Sequence, residues 1–188
     1  MTEEERAEEE ESGFLRSFLS IIVAIACIIG LAYFLRAFVV EPYSIPSGSM
    51  EQTILTGDSV LGEKVSYHFR SPAVGDIVTF TDPEASTRLL IKRVVATEGQ
   101  EVNLVDGKLV VDGVEQNFDY TGGLSSYPLP NSIAIKSYPY TVPEGHVFVM
   151  GDNRENSQDS RYFGSIEVST IQSRAFLVYW PLNHIHGL

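Results

Sequence analysis

The chain has 188 residues, enough for one globular domain of ordinary size plus an appendage. Its formal net charge of -12, with no basic patch, argues against a nucleic-acid partner, and its single cysteine, Cys27, excludes an intrachain disulfide. Half of the net charge lies in the first twelve residues, "MTEEERAEEEES", where seven Glu against one Arg leave -6. A block of this kind cannot bury apolar surface, so residues 1–16 are expected to form a solvated, disordered acidic tail.

Residues 17–35, "SFLSIIVAIACIIGLAYFL", carry no charge between Arg16 and Arg36. As a helix these 19 residues extend ~28 Å, close to the hydrocarbon thickness of a bilayer. "AFVV" prolongs the apolar character, Arg36 is placed to snorkel, and Tyr33 and Phe34 sit where interfacial aromatics belong. A cleaved leader would start basic, carry a shorter apolar core and end in a small-x-small site; none of these is present. A transmembrane helix over 17–38 is therefore expected. Arg6 and Arg16 precede it, and after Arg36 nothing basic follows until Lys64, which favours a cytoplasmic N-terminus and an extracytoplasmic domain over 39–188.

Beyond residue 42 the hydrophobic period is near two. "GDIVTF" (75–80), "RLLIKRVVA" (88–96), "HVFVMGDN" (146–153) and "SRAFLVYWPL" (173–182) read as strands. "QEVNLVDGKLVVDG" (100–113) reads as a hairpin turning at Asp106-Gly107. Residues 117–139, rich in Gly, Pro, Ser and Tyr, read as a long surface connection, and the one soluble helical signal is a turn within 165–170. The expected fold is mostly β: a coiled, antiparallel, barrel-like sheet preceded by one membrane helix.

Three stretches bear chemistry. In "LLIKRVV", Lys92 shares one face with Leu90 and Val94, and Arg93 shares the other with Leu89, Ile91 and Val95. Burial drives a lysine toward the neutral amine; lowering it by about three pH units costs roughly 4 kcal/mol, reasonable where that amine acts as a base. A solvent-facing edge-strand lysine fits the same stretch. In "YSIPSGSM" (43–50), Ser49 follows Gly48, and Ser47 is placed to direct its hydroxyl the same way, toward an oxyanion; a plain small-residue turn reads identically. A neutral lysine beside such a serine makes a Ser–Lys dyad. In "MGDNRENSQDSR" (150–161), Asp152, Asn153, Asp159 and Arg161 suit a charge-braced turn, and Ser157 is placed to orient the Lys92 amine; an exposed Asx-rich loop or a calcium loop are the competing readings. His184 and His186 are weak candidates for metal binding.

Taken together, the motifs resemble the bacterial type I signal peptidases. "SIPSGSM" (44–50) is similar to their serine box, "GDIVTF" (75–80) to the strand box that follows, "IKRVVATEGQEV" (91–102) to the lysine box and "GDNRENSQDSR" (151–161) to the terminal box, in the family's order. The resemblance implies a membrane-anchored, mostly β serine endopeptidase that removes signal peptides and needs neither metal nor other cofactor. It implies Ser49 as nucleophile, Lys92 as general base, Ser47 at the oxyanion hole and Ser157 orienting the amine. It also implies a brace of Asp159 with Arg161 and of Asp152 with Arg93, and pockets shaped by Tyr43, Ile45, Met50, Ile54 and Ile91. The single N-terminal span is similar to the Gram-positive kind. One departure is Gln52 where the family usually has proline.

Ser49 lies nine residues past Val40, so an extended connection holds it within ~30 Å of the span. A tethered protease at that height meets the small-x-small bond of a secretory precursor at high effective concentration. The expected partners are thus precursor proteins and the lipid bilayer, with oligomeric state open. Two other readings fit: a Ser–Lys peptidase dedicated to pilin or conjugation precursors, and a non-enzymatic tethered β module that binds peptides.

Overall fold

The computed structural model describes residues 3–188, with side chains from Arg16 onward. The chain divides between Val39 and Val40 into two compact units. The first contains one long helix, α1 (Glu3–Phe38). Its stretch Arg16–Phe38, 23 residues, is long and apolar enough to cross a membrane, and no side chain in that stretch is buried. The helix also takes in the acidic stretch from Glu3, where the sequence pointed to disorder. Glu, Ala and Arg are strong helix formers.

The second unit is antiparallel β throughout. Its strands are β1 (Val40–Ser44), β2 (Ser59–Glu63), β3 (Ile77–Asp82), β4 (Ala85–Thr97), β5 (Glu101–Val105), β6 (Lys108–Val111), β7 (Val114–Gln116), β8 (Tyr140–Thr141), β9 (His146–Met150), β10 (Ile166–Glu167), β11 (Ile171–Trp180) and β12 (His186–Gly187), joined by short 3-10 turns and one α-helical turn, α2 (Ser160–Phe163). The larger sheet runs β1-β2-β11-β3-β4-β9-β10, with β12 also on β11; the smaller runs β7-β6-β5-β8. Register shifts interrupt the pairings of β11 with β2 and β3, and of β4 with β3 and β9. Such bulges bend strands and coil a sheet. Pro42 is accommodated because β1 is an edge strand.

The hairpin at Asp106-Gly107 forms with both residues at positive φ, 50° and 77°, the left-handed pair a type I′ turn requires. A second turn of the same chemistry, Asp112-Gly113 at 51° and 77°, adds β7, beyond the expected end of the hairpin. The connection over 117–139 is not purely superficial: Thr121, Ser126 and Ile135 are buried, and Ile135 joins the core shared by the two sheets.

Strand β4 is the spine of the domain. It pairs with β3 on one side and β9 on the other. Val94 packs into one core with Val78, Phe80 and Val149, while Val95 and Ala96 pack into another with Val102, Leu109 and Phe148. From Lys92 to Ala96 both faces are covered, which is why the sequence is nearly continuously apolar around Lys92 and Arg93. A third core of Ile45, Met50, Ile54, Val60, Ile77, Ala175 and Val178 gathers residues from either side of Ser49.

Candidate active site

After β1 the chain is extended at Ser47 and then turns tightly over Gly48–Met50. Met50 and Ile54 are fully buried and anchor this turn from below. The loop after β9 clamps it from the side: the Asn153 amide Nδ2 donates to the Gly48 carbonyl at 3.0 Å, and the Asn153 backbone N–H donates to the Ser49 carbonyl at 3.2 Å. Gly151 makes this approach possible, because a Cβ there would overlap the Ser49 carbonyl oxygen and the Ser157 side chain. The turn therefore presents Ser49 in one fixed position.

Lys92 reaches that position from the middle of β4. Its Nζ lies 2.7 Å from Ser49 Oγ and donates to the Ile91 carbonyl at 2.9 Å. The residue is only 2% exposed. Burial pulls its pKa down to about 8, against the charges of Asp159 and Asp152, which favour the ammonium. A usable fraction of neutral amine is thus present near neutrality, next to the hydroxyl it would deprotonate.

Two buried ion pairs frame the dyad. Asp152 accepts from Arg93 Nε at 2.9 Å and Nη2 at 2.7 Å, and from the Thr53 hydroxyl at 2.6 Å. The Arg93 guanidinium stacks 3.9 Å above the Tyr120 ring. Asp159 accepts from Arg161 Nε and Nη2, both at 2.9 Å, and from the Gly151 N–H at 3.0 Å. It also caps α2 by accepting from the Arg161 N–H. Burial pushes the Asp159 carboxyl upward, but the Arg161 charge and hydrogen bonds outweigh it and hold the group below the usual carboxylate range. Asp152 and Asp159 are thus committed to guanidinium partners. His184 and His186 lie elsewhere, the first 3.1 Å from Asp58 Oδ1 and the second 3.0 Å from the Thr53 carbonyl.

A cleft of about 310 Å³ opens over Ser49 and Lys92, lined by Tyr43, Ile45, Ser47, Thr79 and Ile91 among others. Three of the five expected pocket residues line it. Met50 and Ile54 do not: they face the core, because the tight turn that presents Ser49 to the cleft sends its apolar neighbours inward. Ser157 also departs from expectation. Its hydroxyl is buried and makes no well-formed hydrogen bond, while the Lys92 amine contacts Ser49 Oγ and the Ile91 carbonyl. Sequence reasoning placed Asn153 in the charge-braced turn but not against the Ser49 turn, and it passed over Gly151, Thr53 and Thr79; the "GDN" turn signal held Gly151, whereas Thr53 and Thr79 have no signal short of the fold.

A family model described as "Signal peptidase, peptidase S26" matches residues 18–180. The chain belongs to that family. It is 42% identical over 158 residues to a probable signal peptidase I-1 of Synechocystis sp., covering 80% of this chain and 76% of the relative. It is 38% identical over 184 residues to thylakoidal processing peptidase 1 of Arabidopsis thaliana, covering 90% of this chain. It spans 52% of that protein's length and 41% of a second Arabidopsis relative, probable thylakoidal processing peptidase 2. Within this peptidase family the Gln52 departure has a backbone consequence. Gln52 stands at φ 92°, which proline, locked near -65°, is unable to adopt.

Two outcomes follow for the frame of the site. Asp159→Asn leaves the Arg161 charge buried and uncompensated, and is expected to cost about 3–5 kcal/mol of stability in denaturant titrations. Gly151→Ala displaces the turn that holds Ser49 and, if Ser49 is the reacting group, is expected to lower kcat/KM for a peptide substrate by roughly 10²-fold, as an ångström-scale misplacement of a reacting group does.

Proposed function

We propose that this protein is a membrane-tethered serine endopeptidase that removes signal peptides from exported precursor proteins, cleaving after small-x-small sites. The observation that carries this reading is the 2.7 Å approach of a buried Lys92 amine to Ser49 Oγ. Neutral Lys92 Nζ takes the Ser49 proton as Oγ attacks the scissile carbonyl. The Ser47 hydroxyl and the Ser49 N–H stabilise the oxyanion. The resulting ammonium protonates the leaving amine, and the acyl group stays on Ser49. Lys92, neutral again, activates the water that releases it. Asp152 with Arg93, and Asp159 with Arg161, hold the strand and loop that fix these atoms.

The apolar cleft bounded by Tyr43, Ile45 and Ile91 suits the small side chains that precede the scissile bond. The apolar length of Arg16–Phe38 supports a single membrane span, with the preceding acidic segment cytoplasmic and the β domain on the far side. Placed there, the site meets signal peptides whose own apolar segments lie in the bilayer. The Arabidopsis relative's name, thylakoidal processing peptidase, supports precursor processing in the same sense.

The test is cleavage of a precursor with a small-x-small site by the full chain in detergent or liposomes. Cleavage by the native protein is expected, with Ser49→Ala and Lys92→Ala each reduced at least about 10³-fold while folded. Substantial activity in Lys92→Ala would remove the dyad from the mechanism. Because the neutral amine is the active form, kcat/KM should fall about tenfold per pH unit below pH 8 and level off above it. A profile flat from pH 6 to pH 9 would contradict the assignment of the base.

A further inference from the structure

A second cavity, of about 240 Å³, adjoins the first, and the two share Ser47, Ser49, Arg88, Leu90 and Lys92. Their remaining walls differ. Tyr43, Ile45 and Ile91 belong to the apolar one, whereas Gly48, Asn156 and Gln158 belong to the other. A peptide bond attacked by Ser49 has an acyl side and a leaving side. If small apolar side chains of the acyl side fill the first cavity, the second is left for the residues of the leaving side.

The charge of the two cavities is one-sided. Among the described residues lining them, Arg88 and Lys92 are charged and none is a carboxylate. Arg88 lies on β4 four residues before Lys92, two repeats of the pleat along the same face, and its side chain is 56% exposed. It is held in place by Asp82, which is buried and engages its Nε and Nη2 atoms. Asp82 is itself fixed by the Glu84 N–H at 2.8 Å. A guanidinium has five N–H donors in a planar fork suited to carboxylates, so the Asp82 pair leaves donors for a ligand in the cleft. Glu84, two residues from Asp82, accepts from Gln158 Nε2 at 2.9 Å.

From these observations we propose that Arg88 gives the site a preference for precursors bearing an acidic side chain in the first two residues beyond the scissile bond. This specificity rests on the proteolytic reading above. Arg88 contributes by pairing with that carboxylate in the second cavity as the substrate docks.

The experiment compares kcat/KM for peptides identical except for Glu, Gln or Lys at the first or second position after the cleavage site, in native protein, Arg88→Gln and Arg88→Lys. Ratios between substrates on one enzyme cancel any effect of the substitution on Lys92. The native protein is expected to favour Glu over Gln by roughly threefold at low salt, the size of effect an exposed ion pair gives. That preference should vanish in Arg88→Gln, persist in Arg88→Lys, and weaken in the native protein at 1 M salt, where the screening length falls to about 3 Å. Equal Glu and Gln ratios in native protein, or an unchanged preference in Arg88→Gln, overturn the role of Arg88 while cleavage of the Gln peptide upholds the peptidase. Failure of the native protein to cleave any of the peptides overturns the proteolytic reading, and this inference with it.

Discussion

The structure turns on one contact, between an amine that water scarcely reaches and a hydroxyl presented by a tight turn. Placing Lys92 in the middle of a strand covered on both faces is unfavourable for its charged form. A pKa held near 8 rather than 10.5 corresponds to about 3 kcal/mol of disfavour toward the ammonium. The domain tolerates this because three hydrophobic cores surround the strand, and because Asp159 and Asp152 offset part of the desolvation. Without the carboxylates the amine would be still less basic; without the burial it would be an ordinary, fully charged lysine.

The remaining parts serve the position of that contact. Ser49 is fixed from three directions: by Met50 and Ile54 below it, by Asn153 beside it, and by Gly151, whose missing side chain lets the loop come close. The loop in turn is held by Arg93 and Arg161, each bidentate to a buried carboxylate. Buried ion pairs contribute little net stability compared with apolar packing of equal volume, yet breaking one is costly. Here they define geometry: Arg93 neighbours Lys92 on β4, and Asp152 and Asp159 bracket the loop that touches Ser49, so any slip of strand against loop would unpair them.

Much of the β domain was legible because its physics is local. Strands β3, β4, β9 and β11 carry apolar runs bounded by breakers, and Asp106-Gly107 announces a left-handed turn in two residues. The same dipeptide at 112–113 marks β7 equally clearly, and its meaning is plain once the first hairpin is seen to continue as a meander. Strands β1 and β2 are harder to read, since Pro42 and Gly62 interrupt them and pairing with β11 and with each other makes them strands. The acidic N-terminal stretch illustrates the opposite limit: composition said that it has nothing to pack against, but helix propensity and continuity with α1 decide its backbone. In the site, Ser49, Lys92 and the two acid–arginine pairs were legible through four motifs in order. The inward turn of Met50 and Ile54, the contact of the Lys92 amine with the Ile91 carbonyl, and the left-handed backbone at Gln52 depend on tertiary packing that no motif encodes.

The central claim is that Lys92 is substantially neutral under working conditions. The direct measurement is an NMR titration of the Lys92 side chain in isotopically labelled protein, with its signal assigned by loss in Lys92→Met. A midpoint near pH 8 is expected. A midpoint at or above 10.5, the ordinary lysine value, would mean that the amine is solvated and charged, and would contradict its role as the base that activates Ser49.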